Sequence, residues 1–173
     1  MKKAVFLIVV LFAVIFITCG GNDNKNNPRK KVTSANTIDW LKYDTGINKA
    51  AEDGKYVLVY FWRHGCGWCK KMEQDTYANE EVMDIVNDYF IPVKVNAGSG
   101  DSYNTKDGRI STRQLVNRFR IRGFPTSCFL KPDGSVLTCQ PGYVPPQKFE
   151  TILRYIGEEH YKDESFQEYI KSN

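Results

Sequence analysis

Hydrophobic positions along the chain change period several times, and each change predicts an element. The unbroken apolar run Tyr56-Val57-Leu58-Val59-Tyr60-Phe61-Trp62, bounded by Asp53-Gly54 and by Gly65, predicts a strand buried on both faces of a sheet. Before it, Ile38, Trp40, Leu41 and Ile47 mark a helical or partly helical segment running to about Asp53. After it, helical spacing covers residues 66–77. A second helix is expected over residues 80–89, with Asn79 as N-cap and Glu80 and Glu81 in its first turn. Residues 90–95 read as a further strand, and the polar stretch 97–110 as a long loop. Ser111 with Gln114 three residues later is a capping box opening a helix to Phe119. Strands over 126–130 and 135–139 flank Pro132-Asp133-Gly134, a turn signal. An amphipathic helix over 146–159 and a short one over 164–170 complete the pattern, which at 173 residues describes about one domain.

The candidate chemistry sits where the first strand ends. Cys66-Gly67-Trp68-Cys69 places one cysteine at the turn into a helix and the second one turn further on. Backbone N–H groups and the positive end of the helix dipole favour a thiolate at Cys66, which is therefore the expected nucleophile. The i, i+3 spacing brings the Cys69 sulfur within bonding reach, so the pair can switch between dithiol and disulfide. Two other readings stand beside this one. A zinc or copper site would have to recruit His64 or His160, because no second Cys-x-x-Cys or His-x-x-x-His is present. A purely structural disulfide would close too short a loop to restrict the unfolded chain much. Cys128 and Cys139 fall on the two strands of the predicted hairpin. Counting outward from its turn leaves them diagonal, at about 7–8 Å, so two buried free thiols are expected there.

The element order β-α-α-β-α-β-β-α with Cys-x-x-Cys behind a buried strand resembles the thioredoxin-like superfamily, and in particular its exported bacterial members. The match runs from about Ile38 to Ile170. The resemblance implies an α/β thioredoxin fold, a central mixed sheet flanked by helices. It makes Arg120-Ile121-Arg122-Gly123-Phe124-Pro125-Thr126 the segment of the cis-proline, so that Pro125 lies against the sulfurs and the backbone beside it is offered to an extended substrate, with Phe124 expected in the core or the groove wall that binds substrate. It places Lys94 beneath the active site and Gly142 in the substrate groove, and it implies no cofactor beyond the two cysteines. The chain also departs from the pattern. Tyr60 stands where thioredoxin has a buried aspartate, and a tyrosine is a poor base at neutral pH. Lys94 or water is expected to take over. Gly67-Trp68 lacks the histidine carried between the cysteines of strong oxidases, which favours a reductant. His64 could partly substitute, although a solvated loop histidine is the plainer expectation, and Trp68 is expected to be an exposed contact for partner proteins.

The first residues set the compartment. Lys2 and Lys3 precede an apolar stretch from Ala4 to Thr18 that ends at Cys19 and Gly20-Gly21-Asn22, an export signal too short to span a bilayer comfortably. A cysteine at that place resembles a bacterial lipoprotein signal, which would make Cys19 the lipidated first residue, even though Phe16, Ile17 and Thr18 depart from its usual residues. An uncleaved anchor and plain secretion are the alternatives, and all three put the domain outside the cytoplasm. Residues 1–18 are thus expected to be signal or anchor, 19–36 a flexible Asn-rich tether, and 37–173 the thioredoxin-like domain. Without residues 1–18 the chain carries 22 basic against 20 acidic side chains, a balance that gives no reason to expect nucleic acid. The expected partners are disulfide or dithiol proteins, a membrane or periplasmic electron donor, and a membrane reached through the N-terminal anchor. A non-catalytic binding module on the same fold, and a metal-binding chaperone using the Cys-x-x-Cys, are the rival functions.

Overall fold

The computed structural model describes residues 37–172. The expected signal or anchor, the expected tether and Cys19 lie outside them. In chain order the described elements are α1 (Tyr43–Asp53), β1 (Tyr56–Trp62), α2 (Gly67–Lys71) continued by a π-helical turn (Met72–Thr76), α3 (Glu80–Tyr89), β2 (Phe90–Asn96), β3 (Ser102–Thr105), β4 (Gly108–Ser111), α4 (Thr112–Arg118), β5 (Thr126–Leu130), β6 (Val136–Pro141), α5 (Pro146–Gly157), a 3-10 turn (His160–Lys162) and α6 (Phe166–Ser172). The main sheet has the order β2-β1-β5-β6. β2 is parallel to β1, and β5 and β6 are antiparallel to their neighbours.

Two apolar layers cover the sheet. Tyr56, Leu58 and Tyr60 of β1 face one core with Met72, Tyr77, Val82, Val86, Phe129, Phe149 and Leu153, while Val57, Val59 and Phe61 face the other with Ala50, Val93, Leu115 and Phe119. This is why the run 56–61 is apolar without alternation: a central strand between two helical layers has no wet face. α1 lies close on β2, and a Cβ at Gly46 would come within 2.2 Å of Val93 Cγ2. Only glycine permits that approach. The sequence-read caps are present, with Asn79 accepting from the Val82 N–H at 3.1 Å and Ser111 and Gln114 forming a reciprocal capping box.

Three expectations need correction. Residues 37–42 are not helical. Leu41 instead bridges to Val93, its N–H donating to Pro92 and its C=O accepting from Lys94, which supplies the outer edge of β2 with partners. Residues 97–110 are not an open loop but end in the hairpin β3–β4. Tyr103 opposite Ile110 gives this polar stretch an apolar stitch, buried edge-on against Tyr43 at 5.7 Å between ring centres.

The third correction concerns Cys128 and Cys139, which are not free thiols but a disulfide with Cα atoms 4.0 Å apart. A bulge between Phe129 and Leu130 shifts the register so that Cys128 lies directly opposite Cys139. The bond ties the edge strand to its neighbour across an 11-residue separation. Chain-entropy reasoning makes such a loop worth about 2–3 kcal/mol. The double variant Cys128→Ala, Cys139→Ala is therefore expected to lose about that much stability in urea unfolding, with insulin reduction at 25 °C unchanged while the protein stays folded.

Candidate active site

The strand–turn–helix corner from β1 to α2 presents the two cysteines at different depths. Cys66 caps α2 and is partly exposed, and the N–H of Cys69 donates to its sulfur at 3.1 Å. Cys69 is 1% exposed and lies behind it. The two form a disulfide with Cα atoms 5.2 Å apart, the oxidised state of the pair. Gly65 enters the helix with φ of 73°, a turn that brings the chain round from Trp62.

A second loop meets the first. The Phe124–Pro125 peptide bond is cis, and the Pro125 carbonyl accepts from the N–H of Gly142 at 2.8 Å. Gly142 has φ of 84°, so a side chain there would strain the backbone. The segment after it is clamped onto the cysteine helix: Thr76 Oγ1 donates to the Val144 carbonyl at 2.6 Å, and the Tyr143 hydroxyl donates to Asp75. Lys71 and Tyr143 together hold the Asp75 carboxyl below the usual carboxylate range. Trp68, between the cysteines, is 61% exposed and rests near the Tyr143 ring. Phe124 is partly buried and lies under the Arg63 guanidinium. His64 is exposed and stands edge-on to Trp62 at 4.9 Å.

Beneath the pair lies a cluster that includes one residue the sequence reading missed. Tyr60, fully buried, holds its hydroxyl 3.1 Å from the Cys69 carbonyl and 3.3 Å from Glu73 Oε1, one proton shared between two acceptors. Lys94 Nζ pairs with the same Glu73 oxygen at 3.1 Å and sits over the Trp62 ring. Lys94 is thus partnered by Glu73, which lies in the wall of the cavity beside the cysteines. The available signal was spacing. Glu73 is four residues after Cys69, on the same side of the helix. His160, the other histidine, is engaged by Glu158 just after α5 and Glu164 just before α6.

Burial, then the Glu73 charge, pushes the Tyr60 phenol well above the ordinary tyrosine range, and burial does the same to Tyr77. A raised phenol favours the neutral form in the folded state. Its contribution is therefore complete below the unfolded pKa of about 10 and declines as the pH rises past it. Urea midpoints are expected to hold level from pH 7 to about 9.5 and to fall steeply above 10, less steeply in Tyr60→Phe. A flat profile to pH 11.5 would contradict the burial of both hydroxyls.

A solvent-facing cysteine at a helix start, a buried one behind it and a cis-proline loop alongside, on a four-stranded mixed sheet between helices, together define the thioredoxin fold. Residues 43–157 match the thioredoxin-like domain family, and the chain belongs to it. Among relatives, an uncharacterised protein of Caenorhabditis elegans is 29% identical over 140 residues, 74% of this chain and 18% of that one. Protein disulfide-isomerase 1 of Dictyostelium discoideum is 26% identical over 149 residues, 83% of this chain and 35% of that one. The chain thus spans well under half the length of either. A thioredoxin-fold protein from Helicobacter pylori superposes with a TM-score of 0.64 at 25% identity, over 69% of this chain and 84% of that chain.

Proposed function

We propose that the protein is an extracytoplasmic thiol–disulfide oxidoreductase that exchanges disulfides with protein substrates and works chiefly as a reductant. The observation that carries this is the asymmetry of the pair: a Cys66 sulfur open to solvent and hydrogen-bonded by a backbone N–H, with a buried Cys69 behind it. A sulfur so placed is stabilised as a thiolate. In the reduced protein the Cys66 thiolate attacks one sulfur of a substrate disulfide. That S–S bond breaks, and the departing sulfur leaves with the electron pair and takes a proton from solvent. Cys69 then gives up its proton and attacks the Cys66 sulfur, which releases the second substrate thiol and closes the Cys66–Cys69 disulfide. Two electrons and two protons pass to the substrate, and oxidation of a dithiol is the same path reversed.

Glu73, which lines the same cavity as Cys69 and is held there by Tyr60 and Lys94, is the proton acceptor we assign to Cys69, a role for which the sequence offered Lys94 or water. The backbone beside Pro125, with Phe124, Gly142 and Trp68, receives the partner. His64 lines the mouth, where it can tune the Cys66 charge. The kinship to a protein disulfide-isomerase supports exchange as the chemistry, and the missing histidine between the cysteines supports the reductive direction. Residues 1–19 support export and tethering, through Cys19 if it is lipidated, with a membrane or periplasmic electron donor; no cofactor beyond the cysteines takes part.

Insulin reduction by dithiothreitol is the test. Catalytic amounts of the protein are expected to shorten the lag before precipitation. A rate equal to that of dithiothreitol alone would make the protein a binding module. Zinc or copper retained in stoichiometric amount would favour a metal-binding chaperone.

A further inference from the structure

Positive charge gathers at the mouth of the cysteine site. A cavity of about 260 Å3 opens beside Cys66 and Cys69, with Arg63, His64 and Lys70 in its wall and Glu73 as its one carboxylate. Glu73 is already engaged by Lys94 and by the Tyr60 hydroxyl, so it leaves Arg63 and Lys70 uncompensated. The Arg63 guanidinium is held 5.8 Å from the centre of the Phe124 ring, against the residue that precedes the cis-proline. Arg122 is exposed in the same loop, two residues before Phe124. Among the described residues, Arg63, Lys70 and Arg122 form no ion pair, in contrast to Lys71 on the adjacent turn, which is paired with Asp75.

A guanidinium drawn to the face of an aromatic ring keeps its N–H groups available, and their fork matches a carboxylate side-on. A concave, partly dry wall strengthens that attraction relative to open solvent. A partner segment laid along Phe124–Pro125 meets the Arg63 guanidinium, which stands over the Phe124 ring and also lines this wall.

We propose that the partner is an acidic protein segment, with a carboxylate side chain next to the cysteine that exchanges with Cys66, and that Arg63, supported by Lys70 and Arg122, receives it. This rests on the exchange reading above and names the substrate class of the same site. The carboxylate takes no part in the bonds made and broken; it orients the segment and raises its local concentration.

The test uses three cysteine peptides of one sequence, activated as 2-pyridyl disulfides and differing only in having Asp, Asn or Lys on both sides of the cysteine. Their second-order rates with the reduced protein are divided by their rates with dithiothreitol, which removes the intrinsic effect of charge on the disulfide. The normalised rates are expected to rank Asp over Asn over Lys, with about tenfold between the ends at low ionic strength and little difference in 1 M salt. Arg63→Gln is expected to cut that ratio severalfold, and Arg122→Gln to reduce it less. Equal normalised rates, or a ratio unchanged in Arg63→Gln, would overturn the proposal. Binding of the corresponding serine peptides to Cys66→Ser, Cys69→Ser is expected to follow the same order without any exchange. Were the wild type unable to react with any of the peptides while that order held, the exchange reading would fall and the acidic preference would stand; loss of the order with exchange intact would do the opposite.

Discussion

Cys66→Ser is expected to bring insulin reduction down to the rate of dithiothreitol alone, whereas Cys69→Ser completes the first half of the reaction and stops there. The reasoning lies in the depths of the two sulfurs. Cys66 is the one within reach of a substrate, and a hydroxyl in its place is not ionised at neutral pH, so a loss of at least about a thousandfold is expected. Cys69, at 1% exposure, meets only the sulfur of Cys66. Without it the mixed disulfide has no internal exit. Cys69→Ser should therefore accumulate a one-to-one covalent adduct with a disulfide substrate, visible as a mass increase under non-reducing conditions, while Cys66→Ser should form none. Alkylation of Cys69→Ser with iodoacetamide as a function of pH measures the remaining quantity. The Cys69 N–H bond to the Cys66 sulfur and the neighbouring Arg63 and Lys70 all favour the thiolate, so the midpoint for Cys66 is expected well below the value of about 8.5 of an ordinary thiol. A midpoint at the ordinary value, or equal adduct formation by the two variants, would remove the basis of the mechanism.

Much of this arrangement is legible without coordinates because it is written in local chemistry. A central strand covered on both sides needs a run such as Tyr56–Trp62, a helix start needs Asn79 or Ser111, and a cysteine at a helix entry is placed by two residues of turn. What escaped reading depends on contacts between distant segments. The disulfide between Cys128 and Cys139 hinges on a bulge at Phe129 and Leu130, and neither residue type announces one. Leu41 looks like part of an apolar helical face, yet its backbone is claimed by Pro92 and Lys94 on a strand some fifty residues later. Tyr103 is the one aromatic position in a polar stretch, and it becomes structural only because Tyr43 and Phe119 stand where it folds back. Glu73 reads as an ordinary surface glutamate until Tyr60 and Lys94 are seen to converge on it. The residue types that replaced the family's aspartate were visible; the carboxylate that returned from the helix was not.

Phe149→Ala is expected to be the most damaging single change to stability while leaving the chemistry of the folded molecule intact. Phe149 is fully buried on α5. Its ring meets Tyr77 edge-on at 5.4 Å between centres and lies 6.2 Å from Phe129 on the sheet. Truncation removes the aromatic surface from a layer that also holds Leu58, Val86 and Leu153, none of which can close the space without moving a strand or a helix. Such truncations cost about 3–5 kcal/mol, a large part of the 5–15 kcal/mol typical of a domain. For a domain of this size that corresponds to a fall in Tm of roughly 10–20 °C. The cysteine corner is positioned by other contacts, namely the Tyr60 hydroxyl, the Thr76 bond to Val144 and the Gly142 bond to Pro125, so the rate of insulin reduction per folded molecule at 15 °C is expected to stay within about twofold of wild type. Thermal unfolding followed by circular dichroism, paired with activity at that temperature, separates the two. A loss under 1 kcal/mol would mean that the space refills, and a severe loss of activity in a variant that is still folded would mean that the Tyr77–Phe149 contact reaches the site through the Tyr60 ring, which Tyr77 meets edge-on.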